Sequence, residues 1–159
     1  MARKRNAVSD EQFFASLNNQ SDMRAMAHGH QRLLDAVDEG VELLLRDRGL
    51  WSKDHPIGRL GLDGQVDVLV LADRLDADLR PLIAHLTRIR NRMVHGYGVE
   101  FTKAEGATCL RLLPNRVTSR MSHALDRDRP GHVIRWAIVT THARVVNRAI
   151  HGHEASLPV

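Results

Sequence analysis

The residues of this chain best suited to chemistry lie in the stretch Ile89-Arg90-Asn91-Arg92-Met93-Val94-His95-Gly96-Tyr97. Arg90 offers a guanidinium, Asn91 a carboxamide and His95 an imidazole. Imidazole is the side chain whose ordinary pKa lies near neutrality, and a guanidinium fork holds anionic oxygens while keeping its charge. The combination suits proton transfer beside a bound anion. On a helix, Arg90 and His95 project about 140° apart, whereas Asn91 projects about 40° from His95, one turn earlier. His95 falls in the last turn before Gly96, where the backbone can leave helical geometry, and Arg90 is long enough to reach toward it. The three groups can therefore converge at one helix end. A purely structural reading competes with this one. Arg90 could pair with Asp73 or Asp76, and His95 could satisfy the free carbonyls of a helix C-terminus.

Other reactive residues carry less. The chain has ten histidines, so a metal site must be considered. In His28-Gly29-His30 and His151-Gly152-His153 the spacing of two points the side chains about 200° apart on a helix, which does not chelate. No pair has the i, i+4 arrangement of a zinc helix, so neither a metal nor any other cofactor is expected. His85 and His142 fall on expected helices and read as structural. The single cysteine, Cys109, excludes an internal disulfide and reads as a small apolar residue. Tyr97 is the sole tyrosine, and its simplest task is to pack the turn after Gly96.

These groups need a scaffold, and the length of 159 residues suits one domain. Apolar residues make up 43% and charged residues 26%, an ordinary globular balance that excludes intrinsic disorder. No apolar run approaches the roughly 18–20 residues of a membrane span, and no hydrophobic signal core follows the basic N-terminus, so a cytoplasmic setting is expected. Residues 1–20 read as a polar leader in which Phe13, Phe14 and Leu17 can form one docked turn. Residues 21–150 form the domain and 151–159 a tail. Ser21-Asp22 is a helix start, and a long helix runs from there to Arg48 with Met26, Leu33, Val37, Val41 and Leu44 on its apolar stripe. A second helix is expected over Gln65 to Leu75. A third begins at Asp76-Ala77-Asp78, carries Leu79, Leu82, Ile83, Leu86, Ile89 and Met93, and ends at Gly96. Val99 to Thr102 and Thr108 to Leu113 alternate like strands, with Lys103 to Ala107 as a turn, so a small β-hairpin is expected there. A short helix over Arg116 to Leu125 and a last one from His132 to Ile150 complete an all-α bundle of four to five helices.

Arg90-Asn91-x-x-x-His95 resembles the signature of the HEPN superfamily. The match extends to Arg-x-x-x-x-His-x-Tyr, ending at Tyr97, as in HEPN toxins of toxin–antitoxin pairs. A capped first helix, a loop and a helix leading into Arg88-Ile89-Arg90-Asn91-Arg92-Met93-Val94-His95-Gly96 also resemble the branch that includes the mannitol-operon-repressor family. The likeness covers about residues 20–100. It departs from the repressor branch at Met93-Val94, where those sequences tend to have Phe-Ala. The resemblance implies a helical homodimer whose two motifs face a shared cleft, and in active members a metal-independent endoribonuclease. Two copies of His95 would share acid and base duties, two of Arg90 would hold the phosphate, and Asn91 would orient His95 or the ribose. Arg88 and Arg92 would contact the flanking RNA backbone. In toxin–antitoxin relatives the tyrosine at the position of Tyr97 is nucleotidylated, so an antitoxin or nucleotidyltransferase partner is implied. Inactive members imply the alternative, a non-catalytic transcriptional regulator or a dimerising RNA- or protein-binding module.

Charge is uneven along the chain. Residues 1–100 carry 14 Lys/Arg against 15 Asp/Glu, whereas residues 101–159 carry 9 against 4. Arg116 and Arg120 are therefore expected to contact RNA, with Arg111, Arg127, Arg129, Arg135, Arg144 and Arg148 as further candidates for a backbone track. A solvated basic face is the plainer reading.

Overall fold

The computed structural model describes residues 9–120 and 125–152. Within them the chain is an all-α bundle: α1 (Asp10–Asn18), α2 (Asp22–Asp47), α3 (Leu62–Leu71), α4 (Leu79–Val94), α5 (Lys103–Leu112), α6 (Asn115–Arg120) and α7 (Pro130–Val145). A 3-10 turn (Pro56–Arg59) precedes α3, and a π-helical turn (Val146–Ile150) extends α7. None of these helices is long and apolar enough to cross a membrane.

The 26-residue α2 is the spine. Ser21 caps it through a hydrogen bond from the Arg24 N–H, satisfying one of the donors a helix start leaves open. One face of α2 packs on α7 and the π-helical turn, and other faces meet α3 and α4. Gly40 looks like a weak point, costing about 1 kcal/mol against Ala in helix propensity. Here it has a packing reason: a Cβ at that position would lie 2.7 Å from the Cβ of Ala149 in the π-helical turn. All six apolar residues expected on the third main helix are buried on α4.

The described residues hold more helices than the four to five expected, and the short helix expected over Arg116 to Leu125 is α6, with Leu125 outside it and 121–124 outside the described residues. Three further expectations change. The N-terminal segment contributes more than a docked turn, because Ser9 and Gln12 form a capping box and start a nine-residue helix. Its Phe13 and Leu17 are fully buried in the common core, so α1 belongs to the bundle rather than to a leader. Residues 1–8 lie outside the described residues, as do 153–159 of the expected tail.

The expected β-hairpin does not form; Lys103–Leu112 is α5. Thr102 accepts from the Glu105 N–H, and Glu105 accepts from the Thr102 N–H, a Thr-x-x-Glu box that fixes a helix start where a turn was expected. The apparent alternation of Thr108 to Leu113 is the buried stripe of Gly106 and Cys109 with the following Leu113. Finally, α3 ends at Leu71 rather than Leu75. Asp73 takes φ +56°, and the N–H groups of Asp73 and Arg74 return to the carbonyls of Val70 and Leu69. Aspartate is one of the few side chains that tolerate this left-handed conformation.

Candidate functional site

The motif sits where α4 stops, and the stop is built from its own residues. Gly96 has φ +78°, its N–H bonds the Met93 carbonyl at 3.1 Å, and the Tyr97 N–H bonds the Arg92 carbonyl at 3.1 Å. This is a Schellman end, with glycine at the position that needs a left-handed backbone. His95 is the C-cap residue and its side chain is exposed. Arg90 is half-buried, and its Nη1 donates to Oδ1 of Asn91 at 3.0 Å. Among the described residues Arg90 has no carboxylate partner. The acids that could have claimed it are engaged elsewhere, Asp73 with Arg148 and Asp76 with Arg144 and Arg148. The alternative in which Arg90 closes the bundle therefore does not hold. Arg88 is also exposed, with a long 3.5 Å contact from Nε to the Ala84 carbonyl.

Arg92 has a different task from its neighbours. Its Nε donates to Glu105 Oε1 at 2.6 Å and its Nη2 to Glu105 Oε2 at 3.0 Å. Its remaining donors reach the carbonyls of Tyr97 at 3.1 Å, Gly98 at 3.2 Å and Glu100 at 2.8 Å. All five N–H groups of the guanidinium are thus occupied, and none is left for the RNA contact expected of this residue. Burial alone would raise the Glu105 pKa. The hydrogen bond from Arg92, the Thr102 N–H and the Arg92 charge outweigh it and hold the carboxyl below its ordinary value. Arg92 ties the loop 97–100 to α5, while Asp22 accepts from the Phe101 N–H at 2.8 Å and ties the same loop to α2. Tyr97 does not pack the turn as expected, for it is 78% exposed.

Sequence reasoning missed His30. In the sequence it reads as half of a His-x-His pair, yet it lies on the α2 stripe between Met26 and Leu33 and is 7% exposed. A polar residue on an apolar stripe is the signal that could have found it. Its Nε2 lies 3.0 Å from Thr87 Oγ1, and the Thr87 hydroxyl donates to the Ile83 carbonyl at 3.0 Å. That hydroxyl has one proton, so it can only accept from His30, which fixes the proton of the neutral imidazole on Nε2. Thr87 and Arg90 are three apart on α4, so His30 reaches the same face from α2.

Burial pushes the His30 pKa below its ordinary value, and the charge of Arg90 adds to that. His132 is lowered as well, by burial first. The sign for stability follows. The unfolded chain takes up these protons near pH ~6.5, whereas the folded chain resists them. The contribution is present above that pH and is lost as pH falls below it, by at most about 1.4 kcal/mol per pH unit at the buried His30 and by much less at the solvent-screened His132. The urea midpoint should therefore drop between about pH 7.5 and 5.5. His30→Leu should flatten the drop.

Three members of the expected basic track are structural. Arg135 and Arg144 are buried and Arg148 is half-buried, and all three are paired with acids. Arg111, Arg127 and Arg129 are exposed. Arg116 and Arg120 stand on α6, with side chains outside the described residues. His85 contacts the Glu105 carbonyl at 3.2 Å, in keeping with a structural role. Cys109 is buried, its thiol pushed up to about 12 by burial and then by Glu105, which makes it inert. No cluster of metal-ligating side chains occurs among the described residues. Comparison with protein-family models, curated proteins and solved structures gave no match for the chain.

Proposed function

We propose that the chain is a metal-independent endoribonuclease of the HEPN toxin or defence type, working as a cytoplasmic homodimer with RNA as substrate. One contrast carries the reading. Arg92, Arg135 and Arg144 are tied into the scaffold, while Arg90 and His95 at the end of α4 have no ion-pair partner among the described residues. A guanidinium steered by Asn91 and an exposed imidazole, both on the last turns of α4, suit an anionic substrate that the fold does not itself supply.

The reaction this set supports is transesterification. A base takes the proton of the ribose 2′-hydroxyl, and that oxygen attacks phosphorus. The bond from phosphorus to the 5′-oxygen breaks, and an acid returns a proton to the leaving oxygen. The products are a 2′,3′-cyclic phosphate and a 5′-hydroxyl. His95 from one protomer and His95 from its partner fit the base and acid roles, and Arg90 neutralises the charge that grows on the phosphoryl oxygens. The exposed Tyr97 hydroxyl is open to a nucleotidyltransferase partner.

The test is to incubate purified protein with single-stranded RNA in excess EDTA and to identify the new ends. Cyclic phosphate ends formed at an undiminished rate, together with a sedimenting dimer, support the proposal. Intact RNA at every protein concentration overturns it and leaves the non-catalytic regulator.

A further inference from the structure

Tyr97 is the sole tyrosine of the chain and one of its most exposed apolar residues, at 78%. An exposed ring on a free loop would mean little. This ring stands on a backbone held by a built support. Its N–H closes the end of α4, and its carbonyl, with those of Gly98 and Glu100, is clamped by Arg92. Arg92 is in turn braced by both oxygens of Glu105, which is also the N3 residue of the α5 capping box. A Cβ at Gly98 would lie 2.7 Å from Arg92 Nη1, so the clamp also needs a glycine there. Three donors of one guanidinium are thus used to order a loop whose side chains face solvent, and the other two anchor it to Glu105. The acid that would offset a nearby cation, Glu105, is neutralised by Arg92, leaving Glu100 as the exposed carboxylate of the loop. Two positions before Tyr97 is His95, and Arg88 and Arg90 lie on the last turns of the same helix.

Resting on the ribonuclease reading, we propose that Tyr97 is the substrate-reading residue of this site: its ring stacks on an unpaired nucleobase whose phosphate lies at Arg90 and His95. The substrate class is then single-stranded RNA or a loop, because a base must be unstacked to meet the ring. Stacking on an aromatic face is tolerant of base identity and complements cations that hold the backbone. The clamp matters because a loop backbone already fixed in place loses little freedom when the ring it carries binds.

The test uses the full chain with His95→Ala, so that RNA stays intact, and measures binding of a single-stranded oligoribonucleotide and of an abasic ribose-phosphate oligomer of equal length. The expected preference for RNA over the abasic oligomer is about 5- to 150-fold per stacked base. Tyr97→Phe keeps it, and Tyr97→Leu reduces it to near parity while leaving the fold and abasic binding unchanged. Arg92→Lys, which keeps the charge but loses the fork, lowers it in part. Binding of RNA that Tyr97→Leu leaves unaltered overturns this inference and leaves the ribonuclease reading standing. Equal losses for Tyr97→Phe and Tyr97→Leu also overturn it, since the hydroxyl would then be the group that counts. Dissociation of the dimer by Tyr97→Leu would mark the ring as a contact between copies instead. Failure of the parent to bind either oligomer removes both readings.

Discussion

His95→Ala should abolish RNA cleavage while leaving the protein as stable as the parent. Loss of a positioned acid or base typically costs about 10²–10⁴ in rate. The stability half of the expectation makes the experiment decisive. The His95 side chain is exposed and the C-cap geometry is made by backbone groups of Asn91, Met93 and Arg92, so the substitution removes no packing. Such surface changes usually stay within about ±0.5 kcal/mol. Arg90→Ala should cost about 10²–10³ in rate, the range seen when one preorganised electrostatic donor is lost. Among the described residues its hydrogen bond is to the neighbouring Asn91, so it too should fold normally. Arg90→Lys restores charge without the fork and should recover part of the rate. Measured rates, with thermal melting as the control, check all three. Full activity in His95→Ala would remove this residue from the chemistry, and a lowered melting point in the same variant would mean that the imidazole supports the fold.

The legibility of these features follows from how local their physics is. The α2 cap at Ser21 and the α4 stripe from Leu79 to Met93 are written in adjacent residues, and both match the observed helices. The end of α4 was legible for the same reason, because Gly96 marks it directly. The hairpin expected over 99–113 failed by reading alternation where a capping box, Thr102 with Glu105, was the stronger local signal. The roles of the arginines were not legible at all. Arg90 and Arg92 stand two apart in one motif, yet Arg92 is saturated by a glutamate 13 residues later and by a loop, while Arg90 is left open. Only the three-dimensional path of the chain distinguishes them. His30 was hidden in the same way, its partner Thr87 lying 57 residues away.

The largest loss of stability is expected at Arg135, a residue that charge counting places on an RNA track. Its side chain is 8% exposed. Nε donates to the Leu17 carbonyl at 3.0 Å, Nη2 to the Gln20 carbonyl at 2.8 Å, and Nη1 to the Gly131 carbonyl at 3.0 Å. Nη1 also lies 2.9 Å from Asp22 Oδ1, and the guanidinium sits 5.3 Å from the centre of the Phe101 ring. One side chain thus joins the end of α1, the start of α2, the start of α7 and the segment before α5. Arg135→Ala takes a donor from three carbonyls and the charge partner from Oδ1 of the partly buried Asp22, a class of loss that costs about 3–5 kcal/mol. Against a total of roughly 5–15 kcal/mol, a change of that size should lower the urea midpoint sharply. Arg135→Met keeps the apolar stem and should recover the packing share only, whereas Asp22→Asn keeps an acceptor for the Phe101 N–H and should cost less than either. Urea titrations at pH 7.5 would rank the three. If Arg135→Ala instead kept the parent midpoint and weakened RNA binding, the network around it would be incidental and the basic track would be restored.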